Sequence, residues 1–148
     1  MSRLALAALL ALVSGPVIAD PVTKSSPNSV GDTVDRLVAA VEEAGAAVVA
    51  RVDHSAAASG ADMALPEATL VIFGNPAVGT PVMQEDLRAG LVLPLRVLVH
   101  ADGEGGAALT YEAAADLFAG LDVDPAGEAA ARIDGALDRL TDAATAAD

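Results

Sequence analysis

Two histidines and their acidic neighbours are the residues best suited to proton transfer or metal binding. His54 follows Asp53 directly, and His100 lies two residues before Asp102. An imidazole changes charge near neutral pH and commonly binds metals, and a neighbouring carboxylate can orient it. If the strands that end at the two histidines adjoin with both ends on one side, these four residues converge as a candidate zinc, copper or nickel site. Otherwise His54 is a hydrogen-bonded loop residue and His100 a sheet-surface or edge residue.

A loop rich in glycine and proline follows the apolar run Ala68–Phe73. From Gly74 to Gly79 it has the outer spacing of a phosphate-binding loop. Thr80 stands where such a loop has lysine, and Pro76 and Pro81 remove two backbone N–H donors. The sequence therefore argues against nucleotide binding.

Two interpretations of this loop remain open. In the first it is a turn, in which Gly74 and Gly79 take backbone angles that other residues resist, and Asn75, extended before Pro76, hydrogen-bonds the turn. In the second it contacts a ligand at the end of the sheet, with polar groups from Asn75 and Thr80.

Other arrangements of catalytic residues find little support. The chain has no cysteine, which excludes disulfides, thiolate catalysis and cysteine-ligated metals. No serine lies in a G-x-S-x-G elbow. The acidic pairs Glu42–Glu43 and Glu85–Asp86 are predicted on solvated helix faces, whereas hydrolysis by paired carboxylates needs one buried acid. Whether the protein is an enzyme stays open, non-enzymatic binding is favoured, and no cofactor is identified.

The charge balance restricts the partners. The chain has 8 basic and 21 acidic residues, a net charge of −13. Such a field repels nucleic-acid phosphates and anionic lipid head groups, and it favours cations over anions as ligands. With 2% aromatic residues, the chain is also poorly suited to a carbohydrate-stacking platform or an aromatic cage.

The N-terminus has the pattern of a secretory signal. Arg3 precedes an apolar run from Leu4 to Val13, and a small residue, Ala19, occupies the expected cleavage position before Asp20. The run is about half the roughly 20 residues of a membrane-spanning helix. We expect cleavage near Ala19 and a periplasmic or secreted domain without a stable membrane anchor.

Elements that could position the candidate residues follow from the apolar pattern. Strands are predicted at Val22–Lys24, Ala47–Val52, Ala68–Phe73, Leu95–His100 and Ala107–Tyr111, the third of them central and buried and the last two a hairpin. Helices are predicted from Ser29 to Gly45, from Thr80-Pro81 to about Arg88, from Glu112 to Gly120, and after Asp124-Pro125 along Ile133, Leu137, Leu140 and Ala144. This order indicates an α+β fold.

Four parts of the chain resemble the domain-of-unknown-function 302 family. They are Arg51–Ser55, Leu70–Pro76 together with Gly79, Thr80 and Met83, Leu93–Leu98, and Tyr111. The specific part is the Phe-Gly-Asn-Pro-x-x-Gly-Thr run. The resemblance implies a compact α+β domain similar to the TATA-binding-protein fold, with one curved, mainly antiparallel sheet and helices packed on one face. It also implies homodimers and no catalytic residues. His100 and the acidic C-terminal helix depart from the family pattern.

The predicted organisation is a signal at 1–19, an extension at 20–28, the domain at 29–121 and an acidic helix at 122–148. The predicted function is a periplasmic, homodimeric accessory module that binds a small molecule or a divalent metal, and not nucleic acid. The alternatives are an enzyme of unknown reaction with His54 as acid–base and a structural partner of another envelope protein. The candidate ligand contacts are His54, Asn75, Gly79, Thr80 and Tyr111, and the candidate metal ligands are His54, His100, Asp53 and Asp102.

Overall fold

A computed structural model describes residues 20–147, which form one antiparallel sheet with helices packed against it. The strands are β1 (Val22–Ser26), β2 (Ala47–Asp53), β3 (Ala68–Gly74), β4 (Leu95–Ala101) and β5 (Ala107–Tyr111). The helices are α1 (Val30–Glu43), α2 (His54–Ser59), α3 (Pro76–Glu85), α4 (Ala114–Leu117) and α5 (Glu128–Thr145), with a 3-10 helix at Leu87–Leu91. The predicted α+β class with a mainly antiparallel sheet is confirmed. The predicted signal at 1–19 lies outside the described residues.

The strand order is β1-β5-β4-β3-β2, and each neighbouring pair is antiparallel. The predicted hairpin of β4 and β5 is confirmed. As predicted, β3 is an interior strand, because it pairs with β2 on one side and β4 on the other. A continuous apolar run indicates burial on both faces, yet Leu70 and Ile72 of β3 are only half-buried.

The core lies between one face of the sheet and two long helices. Val71 and Val97 on that face are fully buried, as are Leu37 of α1 and Ile133 of α5. Their positions follow the period of two along a strand and the repeat of 3.6 along a helix. The predicted apolar side of α5 is therefore confirmed, and α5 belongs to the same core as the sheet.

The ends of α1 are built as the sequence predicts. The Ser29 hydroxyl accepts a hydrogen bond from the Asp32 N–H at 3.1 Å, so it satisfies one of the free donors of the first turn. Gly45 follows the helix with φ of 72°, a conformation that L side chains resist.

Three other helix boundaries differ from the prediction. The third helix begins at Pro76, with Asn75 as N-cap, and encloses Pro81. Asn75-Pro76 carries the same cap-and-proline signal as Thr80-Pro81, and here the asparagine side chain makes the capping bond. The helix predicted over 112–120 is a single turn, and α5 begins at Glu128 after Gly127, later than Asp124-Pro125 predicts. Among residues 20–147, no helix is long and apolar enough to span a membrane.

The burial of Leu37 generates a test of this core. Leu37 is 0% exposed, so Leu37→Ala removes buried methyl groups and leaves a cavity, which costs about 2–5 kcal/mol of unfolding free energy. Leu91, on the 3-10 helix, is 85% exposed, and the same substitution there is expected to change stability by less than about 0.5 kcal/mol. Urea unfolding of both variants measures the difference, and equal losses would contradict the described packing.

Candidate functional site

A cleft opens where the end of the sheet meets α3 and α5. Its volume is about 480 Å³, within the usual range for small-molecule sites of roughly 300–1,000 Å³. We call it the apolar cleft. It is lined by Ala44, Ala46, Ala47, Val49, Phe73, Gly74, Asn75, Pro76, Val78, Gly79, Thr80, Met83, Gly90, Leu93, Pro94, Leu95, Ile133, Ala136, Arg139 and Leu140.

Small residues create this space. Seven of the lining positions are alanine or glycine, and they come from the α1–β2 connection, the start of β2, the end of β3, α3, the 3-10 helix and α5. The surrounding backbone is held by packed helices and strands, so missing side chains leave room that the wall does not fill. Phe73 and Leu95, the larger apolar residues at the base, are buried and belong to the core.

Asn75 joins two walls of the apolar cleft. Its Oδ1 accepts a hydrogen bond from the Ala77 N–H at 2.9 Å, and its Nδ2 donates to the Gly45 carbonyl oxygen at 3.3 Å. Its backbone is extended, with φ of −132° and ψ of 118°. The predicted extended backbone of Asn75 and its hydrogen bond within the turn are therefore confirmed, and the same turn lines a cleft. The two interpretations of this loop are compatible.

Close packing explains Gly74, and unusual dihedral angles explain neither glycine of this loop. Neither Gly74 nor Gly79 has a positive φ, so the prediction that they use angles other residues resist is wrong. A Cβ on Gly74 would lie 3.3 Å from the Pro94 Cβ, which is tighter than ordinary contact. A Cβ on Gly79 would lie 3.6 Å from the Leu93 side chain, which is an ordinary contact. Only Gly74 is therefore required by close packing, against Pro94.

Asp86 is a buried carboxylate in the segment between two residues that line the apolar cleft. It lies between Met83 of α3 and Gly90 of the 3-10 helix, which both line the cleft. Its carboxylate accepts hydrogen bonds from the Arg88 side chain at 2.6 and 3.0 Å, from the Arg88 N–H at 2.9 Å and from the Asp122 N–H at 2.9 Å. These bonds, led by those from the Arg88 guanidinium, hold the pKa of Asp86 well below its usual range.

The environment of Asp86 corrects the sequence prediction of a solvated acidic pair. Asp86 is only 9% exposed, and it links the end of α3 to the segment that leads into α5. Its neighbour Glu85 accepts a hydrogen bond from the Asp124 N–H at 3.1 Å. Both acids therefore tie α3 to the 122–124 segment.

The four candidate metal ligands do not converge. Strand β3 lies between β2 and β4, so the ends of these strands are not adjacent. Within residues 20–147, no group of three or more histidine, aspartate or glutamate side chains is placed to hold a metal ion. His54 begins α2, is exposed and lies outside the lining of the apolar cleft.

The other three of these residues have local partners. Asp53 caps α2: its carboxylate accepts hydrogen bonds from the Ser55 hydroxyl and the Ala56 N–H, which lower its pKa. Asp102 accepts from backbone N–H groups of the β4–β5 turn, led by that of Glu104, and its pKa is also lowered. The ring nitrogens of His100 lie 3.0 Å from the Ala101 carbonyl oxygen and 3.2 Å from the Thr110 hydroxyl.

Three of the five candidate ligand contacts line the apolar cleft, namely Asn75, Gly79 and Thr80. Tyr111 is a buried core residue, outside that lining. Sequence reasoning missed Met83, Ala136 and Arg139 as wall residues. The apolar pattern of α5 shows which side is buried, but it carries no signal for a helix side that borders a cleft.

Comparisons with known proteins identify related chains. The family model described as "Domain of unknown function DUF302" matches residues 22–143. Two curated proteins, the fluoride-specific ion channels FluC 1 of Brucella suis biovar 1 and FluC 2 of Brucella melitensis biotype 1, are each 45% identical over 89 residues. That stretch is 60% of this chain, and the chain spans about a third of the length of these relatives (35% and 33%).

One solved structure has the same fold. It is the crystal structure of an uncharacterized conserved DUF302 protein from Bacillus stearothermophilus, with a TM-score of 0.76 and 21% sequence identity. The alignment covers 84% of this chain and 97% of that chain. At this identity the similarity supports the fold alone.

The depressed pKa of Asp86 predicts a pH dependence of stability. A carboxyl whose folded pKa is below its unfolded value of about 3.9 stabilises the fold above that pH, and the contribution is lost as the pH falls towards the folded pKa. Asp86→Asn is therefore expected to be less stable than the wild type near pH 7, with the gap shrinking below about pH 4. Urea unfolding across this range measures it. Glu67→Gln, which removes one charge from an exposed side chain, is the control, and a gap for Asp86→Asn that stays constant with pH would contradict the assignment.

Proposed function

Because this chain belongs to the DUF302 family of domains of unknown function, and the family has no assigned activity, we propose a function from the geometry: a small-ligand-binding module whose ligand occupies the apolar cleft. The observation that carries the proposal is the position of the β3–α3 turn. This turn, which contains the family-like Phe-Gly-Asn-Pro run, forms one wall of a cleft of about 480 Å³.

The chemistry of the wall favours an apolar ligand. Its side chains are mainly aliphatic, and polar groups come from Asn75, Thr80 and Arg139. Small-molecule sites commonly combine such apolar walls with a few polar groups that orient the ligand. The Asn75 amide already bonds within the turn, so it holds the wall, and Thr80 is exposed and available.

The alternative functions have less support. An enzyme with His54 as acid–base would place that side chain in the cleft beside a second polar group, whereas His54 lies outside the lining. A purely structural partner requires no cleft of this size. A divalent metal would need converging ligands, which residues 20–147 do not present. The proposal therefore keeps the small-molecule part of the sequence prediction.

The relatives named as fluoride-specific channels do not change the proposed ligand. Fluoride is a small, strongly hydrated anion, and an apolar wall compensates poorly for the lost hydration of such an ion. The shared 89 residues make up about a third of those proteins. We therefore base the proposed ligand on the walls of the apolar cleft.

Export and self-association are part of the same proposal. The N-terminal pattern supports cleavage near Ala19, and the family resemblance supports a homodimer. Native mass spectrometry of the protein from a periplasmic extract is expected to give a dimer of chains that begin at Asp20, with a bound small molecule. A monomer, or an uncleaved chain in the cytoplasmic fraction, would contradict these parts of the proposal without affecting the cleft.

Filling the apolar cleft tests the proposal directly. Ala136 lies on α5 and lines the cleft, so Ala136→Leu should occupy part of the ligand volume. Binding of the neutral fluorescent probe N-phenyl-1-naphthylamine is expected to fall at least about tenfold, a change of roughly 1.4 kcal/mol. Stability should be unchanged or higher, because leucine is a good helix former and fills a void.

A matched control exists on the same helix. Ala143 is exposed and lies outside the lining of the cleft, so Ala143→Leu adds the same side chain without reducing the ligand volume. Fluorescence titration of the wild type and both variants separates the two cases. Equal probe affinity in Ala136→Leu and Ala143→Leu would show that the probe binds elsewhere and would remove the support for this function.

A further inference from the structure

The lining of the apolar cleft contains one charged side chain. No aspartate or glutamate lines it, although the chain has 21 acidic residues, and Arg139 of α5 supplies the charge. The wall is thus apolar along most of its length and cationic at one place. In a protein with a net charge of −13, an exposed surface of the opposite sign is unexpected on composition alone.

The pairing of the other cations makes Arg139 distinct. Among residues 20–147, five basic side chains form salt bridges with carboxylates, namely Lys24, Arg51, Arg88, Arg96 and Arg132. Arg36 donates to the Ala146 carbonyl oxygen at 3.2 Å and has a further interaction. Arg139 has no salt bridge or hydrogen bond with another described residue, despite the excess of carboxylates.

Helix α5 contributes both buried apolar residues and the exposed Arg139 to the wall of the cleft. Ile133 and Leu140, on the same helix, line the cleft and are 0% and 7% exposed, whereas Arg139 is exposed. Its Nη1 lies 3.7 Å from the place where a side chain on Gly135 would put its Cβ. The guanidinium therefore lies next to Gly135, one helical turn towards the N-terminus of α5, where no side chain covers it. Its donors are open to a ligand.

We propose that the ligand of the apolar cleft is an amphiphile, with an apolar chain against the buried wall and one anionic head group, a carboxylate or a phosphate, on Arg139. This inference rests on the proposed function and specifies its ligand class. Guanidinium donors match both head groups in bidentate geometry. Because Arg139 is exposed, the head group stays partly hydrated, so binding does not require burial of an isolated charge.

The acidic surface does not oppose this assignment. At physiological ionic strength, charges farther apart than about 8 Å are largely screened from each other. A head group in contact with Arg139 therefore responds mainly to that guanidinium. The nearby Asp138 carboxylate is paired with Lys24, with an O–N distance of 2.6 Å, which reduces its repulsion.

Ligands with one alkyl chain and different head groups test the inference. We would measure displacement of N-phenyl-1-naphthylamine by decanoate, decyl phosphate, decanol and decylammonium, each below its micelle-forming concentration. Decanoate or decyl phosphate is expected to bind about three- to tenfold more tightly than decanol, as for a partly exposed charge-assisted hydrogen bond. Decylammonium is expected to bind more weakly than decanol.

Substitution of the arginine completes the test. In Arg139→Gln the preference for anionic heads over decanol should fall below about twofold, with the affinities for the probe and decanol unchanged. Arg139→Lys should retain part of the preference. The control is Arg132→Gln, because Arg132 lies on the same helix, is paired with Glu128 and is outside the lining of the cleft.

The possible failures are distinguishable. If the probe binds and Ala136→Leu weakens it, but anionic and neutral chains bind equally, the head-group inference is overturned and the small-ligand function stands. The same holds if the preference survives in Arg139→Gln. If neither the probe nor any alkyl ligand binds the full mature protein, the proposed function fails and the inference fails with it.

Discussion

The packing of α1 and α5 against one face of the sheet is the constraint on which the rest of the structure depends. The chain has no cysteine, so apolar burial must supply the stability that disulfides provide in many exported domains. Val71 and Val97 of the sheet and Leu37 and Ile133 of the helices are fully buried in one core. Because this packing fixes the distance between α5 and the end of the sheet, it also determines where space is left.

The apolar cleft lies at the margin of that core, where small residues replace large ones. The α1–β2 connection, the β3–α3 turn and α5 approach each other there, and their alanines and glycines leave the volume unfilled. Two polar residues connect the segments around the cleft by hydrogen bonds. Asn75 links the β3–α3 turn to Gly45, and Asp86 links α3 to Arg88 and to the segment before α5. The fold can therefore be stable with an open cleft, because hydrogen bonds of Asn75 and Asp86 connect the surrounding segments while small residues leave the space.

Charged residues also differ between the surface and the cleft. Most cations of residues 20–147 are paired with carboxylates, and three of the four candidate metal residues, namely Asp53, Asp102 and His100, make cap, turn or sheet-surface hydrogen bonds. Asp53 accepts hydrogen bonds from the Ser55 hydroxyl and the Ala56 N–H, and Asp102 from N–H groups of its turn, so the lowered pKa of each has a local structural cause. Among residues 20–147, Arg139 is a cation without a salt bridge or hydrogen bond and also lines the cleft, which is why the electrostatic part of the proposed ligand rests on it.

The sequence by itself determined the features that depend on neighbouring residues. The capped start of α1 at Ser29, its end at Gly45, the hairpin of β4 and β5 and the turn at Asn75 all follow from local hydrogen bonding and backbone preference. The strand order, the burial of Asp86 and the placement of Asn75 and Arg139 around one cleft were decided only by the tertiary structure. The physical reason is that these features require segments far apart in the chain to pack together, and one-dimensional periodicity identifies a buried face without identifying what lies against it.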